Sequence, residues 1–240
     1  MLLAAGSIRA QRPKPRIAVP MSGNEQSTAN SLEALKRGMR DQGYPDSSVE
    51  YELRYAHGQI PLQEQIVAEL LARKPDVIVV SGPPFVRAAL KMTRSTPIVM
   101  AHVSNPVGNR FIDSLPRPGG NVTGMANLYE VILPKVAETL HALAPSAARV
   151  AVLLNENNPS TAAFWQATEP ALRTLGKTAL RMTASSESQT VDAFDRMAAS
   201  GVQATIIVPD QTFIFFNKRI AALAQANQST SSVLAEPNRI

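Results

Sequence analysis

Residues 149–161 read RVAVLLNENNPST, and residues 16–28 read RIAVPMSGNEQST. Each opens on an apolar run without alternation, passes through a short polar loop and ends in Ser-Thr, a pair suited to capping a helix. Six of the 13 positions are identical in the two stretches. Either they are copies of one ancestral unit, or any strand-loop-helix start draws on the same few residue types.

Working outward, the same kind of run recurs as DVIVVSG at 76–82, PIVMAHV at 97–103 and ATIIVPD at 204–210, with VEYELRY at 49–55 as a further strand. Strands without alternation are covered on both faces, which predicts parallel sheets flanked by helices, the α/β class. The stretches between them carry helical spacing. Ser27 to Gly43 places Leu32, Leu35 and Met39 on one face and stops at glycine, and Pro61 to Lys74 turns Ile66, Leu70 and Leu71 inward before Pro75. Further helices are expected near 84–94, 131–144, 159–175, 188–200 and 212–227.

The rhythm breaks at 104–121, SNPVGNRFIDSLPRPGGN, where three Pro, three Gly and three Asn exclude a long regular element. Residues 104–128 are read as the exit from one lobe and the crossing to a second. The expected organisation is a leader or remnant signal at 1–15, lobe 1 at 16–124, lobe 2 at 125–235 and the start of a return crossing at 236–240. The start of the chain, MLLAAGSIRAQRPKP, looks like a shortened secretory signal without a basic start or a full apolar segment; an unstructured cytoplasmic leader is the alternative.

The chain has 240 residues, 45% of them hydrophobic, which suits folded domains with substantial cores. Of its formal charge of +5, Arg9, Arg12, Lys14 and Arg16 supply four with no acid before position 17, leaving 20 basic against 19 acidic residues, or +1. A nearly neutral body without a basic stripe speaks against a nucleic-acid partner. No apolar run approaches the roughly 18 residues needed to cross a bilayer. The absence of Cys excludes disulfides and thiol catalysis.

Catalytic and cofactor signatures are missing. His57, His102 and His141 fall in no metal-ligand spacing, so neither a metal nor a nucleotide cofactor is expected; GxxxxGK[ST] and GxGxxG are absent as well. Ser81-Gly82-Pro83-Pro84 lacks the first Gly of a nucleophile elbow, and His102 reads as a structural histidine before it reads as a base. The strand ends carry small polar groups instead: Ser22, Gly23 and Asn24; Ser81 and Gly82; His102, Ser104 and Asn105; Asn155, Asn157 and Asn158; Asp210, Gln211 and Thr212. Strand carboxyl ends are where ligands sit in open parallel sheets, and each of these loops opens a helix whose free N–H groups favour an anion. Taken singly, such residues cap helices; together, without a base or metal, they describe a binding cleft. Phe85 is expected as an apolar contact in it, and Phe164, Trp165, Phe213, Phe215 and Phe216 as second-lobe core.

Leu115 to Gly124, LPRPGGNVTG, with the following LPKVAETLHALAPSAARVAVLLNENNPST, resembles the substrate-binding proteins of bacterial ABC importers with the type I periplasmic-binding fold, in the branch that includes tryptophan and tyrosine binders. The resemblance runs from about Arg16 to the end of the chain. It implies two Rossmann-like lobes that close by a hinge over a small ligand, an amino acid or related compound, and delivery to a permease from a periplasmic or extracytoplasmic location. It places ligand contacts at Ser22, Gly23, Asn24, Gln26, Ser81, Gly82, Pro83 and Asn105, and in the second lobe at Asn155, Asn157, Ser160, Asp210, Gln211 and Thr212. Asp210 is the candidate partner for a ligand ammonium. Family members usually have Asp where this chain has Asn105 before Pro106, and they continue beyond Ile240, so the first lobe is expected to lack its last sheet elements. A cytoplasmic two-lobed racemase or isomerase of small acids and a ligand-sensing regulatory lobe are the rival readings.

Overall fold

The computed structural model describes residues 13–226 and the short strand at 232–234. Two parallel sheets form two lobes. The first has five strands in the order β2-β1-β3-β4-β5, with β1 at Arg16–Met21, β2 at Glu50–Tyr55, β3 at Val77–Ser81, β4 at Ile98–Ser104 and β5 at Val122–Asn127. The second has four in the order β7-β6-β8-β9, with β6 at Arg149–Leu154, β7 at Thr178–Thr183, β8 at Ala204–Ile207 and β9 at Ser232–Leu234. The leader and the segment 236–240 lie outside the described residues. Among those described, no helix is long and apolar enough to cross a membrane.

Alternation along the strands decides which helix each face receives. Ile17, Val19 and Met21 of β1 turn to one face, where Leu32, Leu35 and Met39 of α1 (Glu25–Asp41) pack. Ala18, Ile78, Val80, Ile98 and Met100 turn to the other and meet α2 (Leu62–Ala72) and α3 (Pro83–Met92). No residue of α1 is fully buried, so its face of the sheet is the more thinly covered. In the second lobe, Val150 to Leu154 are all without exposed surface, and α4 (Tyr129–Leu143), α5 (Thr161–Thr174), α6 (Glu187–Ala199) and α8 (Asn217–Ala226) contribute to the core around them. That burial on both faces accounts for the unbroken apolar run.

The crossing begins later than the composition break suggested. Residues 105–121 form loops and turns, but the chain then re-enters the first sheet as β5, paired with β4 from Ile98–Val122 to Ser104–Asn127. Gly124 makes this possible: its φ is +128°, and a Cβ there would collide with the backbone of Met100. The expected helix at 212–227 is two, α7 (Gln211–Phe215) and α8, and Thr178–Thr183 forms the strand β7, whose mixed TALRMT pattern gives no clear strand signal.

Lys177, just before β7, is 5% exposed; its Nζ donates to the carbonyls of Ala147 at 2.7 Å, Ala144 at 3.1 Å and Pro145 at 3.3 Å. One buried ammonium thereby satisfies the loop that follows α4.

Candidate functional site

The carboxyl ends of β3, β4 and β5 meet those of β6 and β8 across a narrow cleft that encloses about 20 Å3. The first-lobe wall is built from Gln63, Gly82, Pro83, His102, Ser104 and Asn127, and the second-lobe wall from Tyr129, Asn158, Asp210 and Gln211.

Asp210 anchors the second-lobe wall. It is 5% exposed, and its Oδ1 accepts from the backbone N–H of Thr212 at 2.8 Å, which caps α7, and from Asn155 Nδ2 at 2.9 Å. Its Oδ2 accepts from Asn158 Nδ2 at 2.7 Å. Burying a carboxylate is costly without such donors. Among the described residues Oδ1 accepts two hydrogen bonds and Oδ2 one, and Asp210 lines the cleft. The orienting residues are themselves held: Asn155 Oδ1 accepts from Asn157 N at 3.0 Å, Asn158 Oδ1 from Ser160 N at 2.9 Å, and Thr161 Oγ1 donates to the Asn155 carbonyl.

On the first-lobe side, His102 lies within 3.3 Å of Asn127 Nδ2 and 3.2 Å of Tyr129 Oη, and its ring stands edge-on to that of Tyr129. Burial lowers the His102 pKa, favouring the neutral ring, and pushes the Tyr129 phenol up to about 12. Both are therefore uncharged at neutral pH. α3 opens on Gly82, whose φ of +85° lets the chain turn sharply from β3, followed by Pro83 and Pro84. Neither proline has an N–H, so the helix start loses two of its free donors and the expected anion site there is largely cancelled.

Polar contacts join the lobes. Asn109 Nδ2 donates to Ser160 Oγ at 2.9 Å, Ser160 Oγ to the Ser104 carbonyl at 3.4 Å, and Thr212 Oγ1 to the Gly58 carbonyl at 3.2 Å.

Of the positions expected from sequence, Gly82, Pro83, Asp210 and Gln211 line the cleft. Asn155, Ser160 and Thr212 are buried behind its wall, and Asn157 lines an adjoining hollow with Arg87 and Lys91. Asn105 serves its own loop, its Oδ1 accepting from Gly108 N at 3.2 Å, a role that Asp fills equally well. Ser81 sits half-buried at the end of β3. Ser22, Gly23, Asn24 and Gln26 are turned to other tasks. Asn24 caps α1, Gln26 is exposed on it, and the carbonyls of Ser22 and Gly23 accept from the N–H groups of Gly58 and His57. Phe85 is fully buried in the first-lobe core rather than in the cleft, where it packs among the apolar side chains of the sheet and of α2 and α3. Phe164 and Phe213 are core as expected, while Phe215 packs against Gly58 of the other lobe. Gln63, Asn127 and Tyr129 were not anticipated: each sits at an element end or inside an amphipathic run, where a lone polar group carries no motif.

A family model described as ABC transporter substrate binding protein matches residues 16–236. The chain belongs to that family. This substrate-binding protein is 30% identical over 130 residues to a tyrosine-binding protein of Clostridioides difficile (strain R20291), over 52% of its own length; it spans 37% of that relative. Among solved structures, a domain from Streptococcus pneumonia in complex with L-Trp is similar with a TM-score of 0.82 at 19% identity, covering 93% of this chain and 79% of the other. A conserved domain protein from Vibrio cholerae has a TM-score of 0.84 at 20% identity, over 93% and 75%. A periplasmic binding protein from Burkholderia mallei has a TM-score of 0.62 at 13% identity, over 94% and 61%. At these identities the likeness establishes the fold, that of the type I periplasmic binding proteins, in agreement with the two parallel-sheet lobes.

Proposed function

We propose that this substrate-binding protein works outside the cytoplasmic membrane. It closes its lobes over a small ligand carrying a protonated amine, an amino acid or related compound, and delivers it to the permease of an ABC importer. The observation that carries the reading is the buried Asp210 carboxylate on the cleft lining, held in place by Asn155, Asn158 and the α7 backbone. An ammonium is the natural partner for a buried, pre-oriented carboxylate. Walls drawn from both lobes give the ligand differential contacts with the closed form, which hinge closure requires. The tyrosine-binding relative and the L-Trp complex agree with a ligand of this class. Binding rather than catalysis suits a cleft whose His102 ring has a phenol and an amide as its hydrogen-bond partners.

The test is a thermal-melt and calorimetric screen against amino acids and amines. A ligand at about 100 times its dissociation constant adds about 2.7 kcal/mol of stability. Asp210→Ala should abolish the shift. A shift that survives in this variant would move the site elsewhere.

A further inference from the structure

Arg87 and Lys91 lie one turn apart on α3, and Arg94 follows just past its end. With Arg110, from the loop after β4, they line a hollow of about 240 Å3 that shares no residue with the inter-lobe cleft. Among the described residues no Asp or Glu lines it, and the guanidinium groups of Arg87, Arg94 and Arg110 have no hydrogen-bond or ion-pair partner. Lys91 pairs with Glu64, which leaves three cations uncompensated. A body whose charge beyond residue 16 sums to +1 hides this cluster from a net-charge count. The hollow is not wholly polar, because Leu90, half-buried, and Phe111 line it as well. Its loop wall is fixed: Phe111 and Ile112 are buried in the first-lobe core, and Asn109 donates to Ser160 of the second lobe at 2.9 Å.

Like charges gathered around a concave space repel one another, and an anionic occupant relieves that repulsion while feeling the field of all of them. A free inorganic anion would leave Leu90 and Phe111 unused. A bilayer surface is a plane of headgroups that meets projecting basic side chains and does not enter a hollow. A peptide can use both the charges and the apolar lining. We propose that this hollow is a docking site for an acidic segment of a partner protein, with Asp or Glu side chains received by Arg87, Arg94 and Arg110 and an apolar neighbour set against Leu90 and Phe111. Guanidinium groups suit this partner because their planar fork can hold a carboxylate through two parallel hydrogen bonds. The site lies apart from Asp210 and does not depend on what the cleft binds.

The probe is a fluorescein-labelled peptide of alternating Glu and Leu, titrated with the full chain and followed by anisotropy. It should bind saturably at low salt and weaken about tenfold as salt is raised to about 0.15 M. The triple variant Arg87→Gln, Arg94→Gln, Arg110→Gln should weaken it by about tenfold or more while leaving the melting temperature unchanged or raised, since three exposed like charges are gone. Arg37→Gln, Lys74→Gln and Lys218→Gln together remove the same charge from exposed positions elsewhere, and should change the affinity by about twofold at most. Equal losses in the two triple variants, or no saturable binding, overturn the proposal. Binding to phosphatidylglycerol vesicles with none to the peptide overturns it too, and would make the hollow a membrane contact. A peptide of Glu and Ser that binds as tightly as that of Glu and Leu overturns the role of Leu90 and Phe111.

Discussion

Asn109 Nδ2, in the loop after β4, donates at 2.9 Å to Ser160 Oγ at the start of α5, which itself donates to the Ser104 carbonyl at 3.4 Å, so Ser160 ties the two lobes at one end of the cleft. Asn109 also reaches the Ser104 carbonyl at 3.2 Å, which fixes its amide in place for that contact.

If closure depends on this bond, Asn109→Ala removes about 1 kcal/mol from the closed form, roughly a fivefold change in the open-to-closed ratio. The expected outcome is a ligand affinity about fivefold weaker, with faster dissociation and an unchanged melting temperature for each lobe. Small-angle scattering should show a larger ligand-free radius of gyration in the variant. An unchanged radius and affinity would mean the tie forms only as a consequence of closure.

The lobes themselves were legible in sequence because burial on both faces writes itself as unbroken apolar runs, as in Val150 to Leu154. β7 was not, since it lies at a sheet edge with Ala179 and Leu180 half-buried and Arg181 exposed and leaves no run. The entry of 122–127 into the first sheet was hidden for a different reason. Thr123, Gly124 and Met125 are exposed on this edge strand, and the PGGN turn before them looks like the end of a domain. At the cleft, Asp210 stood out as an acid at a strand end next to a helix start. Gln63 did not, because its significance comes from its neighbours in space: a glutamine inside an amphipathic helix normally faces water. The setting of the β1 loop was illegible for the same spatial reason, since the Ser22 and Gly23 carbonyls accept from Gly58 and His57 through hydrogen bonds that no local pattern announces.

The two titratable rings at the cleft, His102 and Tyr129, make stability depend on pH in opposite directions. Burial depresses the His102 pKa below its ordinary value near 6.5, so the unfolded chain takes up this proton first as the pH falls. The contribution is present above about pH 6.5 and is lost as the pH drops toward the folded value. Tyr129 is raised from 10 to about 12, so its contribution is full below pH 10 and is lost between 10 and 12. Chemical denaturation should therefore show a slope of unfolding free energy against pH between 5 and 7 that is shallower in His102→Gln. Between pH 10 and 12 the slope should be shallower in Tyr129→Phe. Parallel slopes in parent and variants would remove burial as the cause.

Lys177 carries a stability role that its type does not suggest. Lys177→Met keeps the aliphatic stem but leaves the Ala144, Pro145 and Ala147 carbonyls without their shared donor. Charge-assisted bonds of this kind together amount to about 2 kcal/mol, a fall of roughly 4 to 8 °C in the melt of a chain this size. Ligand affinity should not change, because the residue lies far from the cleft lining. A melt within 1 to 2 °C of the parent, an estimate set by the same scale, would show that water replaces the ammonium without loss.

Gly124 ties the PGGNVTG block to the packing of the first sheet. At its φ of +128° an L-residue is strained, and the added Cβ of Gly124→Ala would be driven into the carbonyl oxygen and amide nitrogen of Met100, which are backbone atoms of β4 and cannot swing aside. β5 must then separate from β4 or shift register, and either breaks the strand that leads into the crossing. The expected cost is about 3 kcal/mol or more, the range in which backbone conflicts unfold marginal domains. Gly120→Ala supplies the control within the same block, since a Cβ there meets nothing within 4 Å and its φ carries no such strain. Denaturant titration should show the first variant losing much of its stability or failing to fold, and the second staying within about 1 kcal/mol of the parent. Equal losses at both positions would locate the block's importance in the turn rather than in the close approach of β5 to β4.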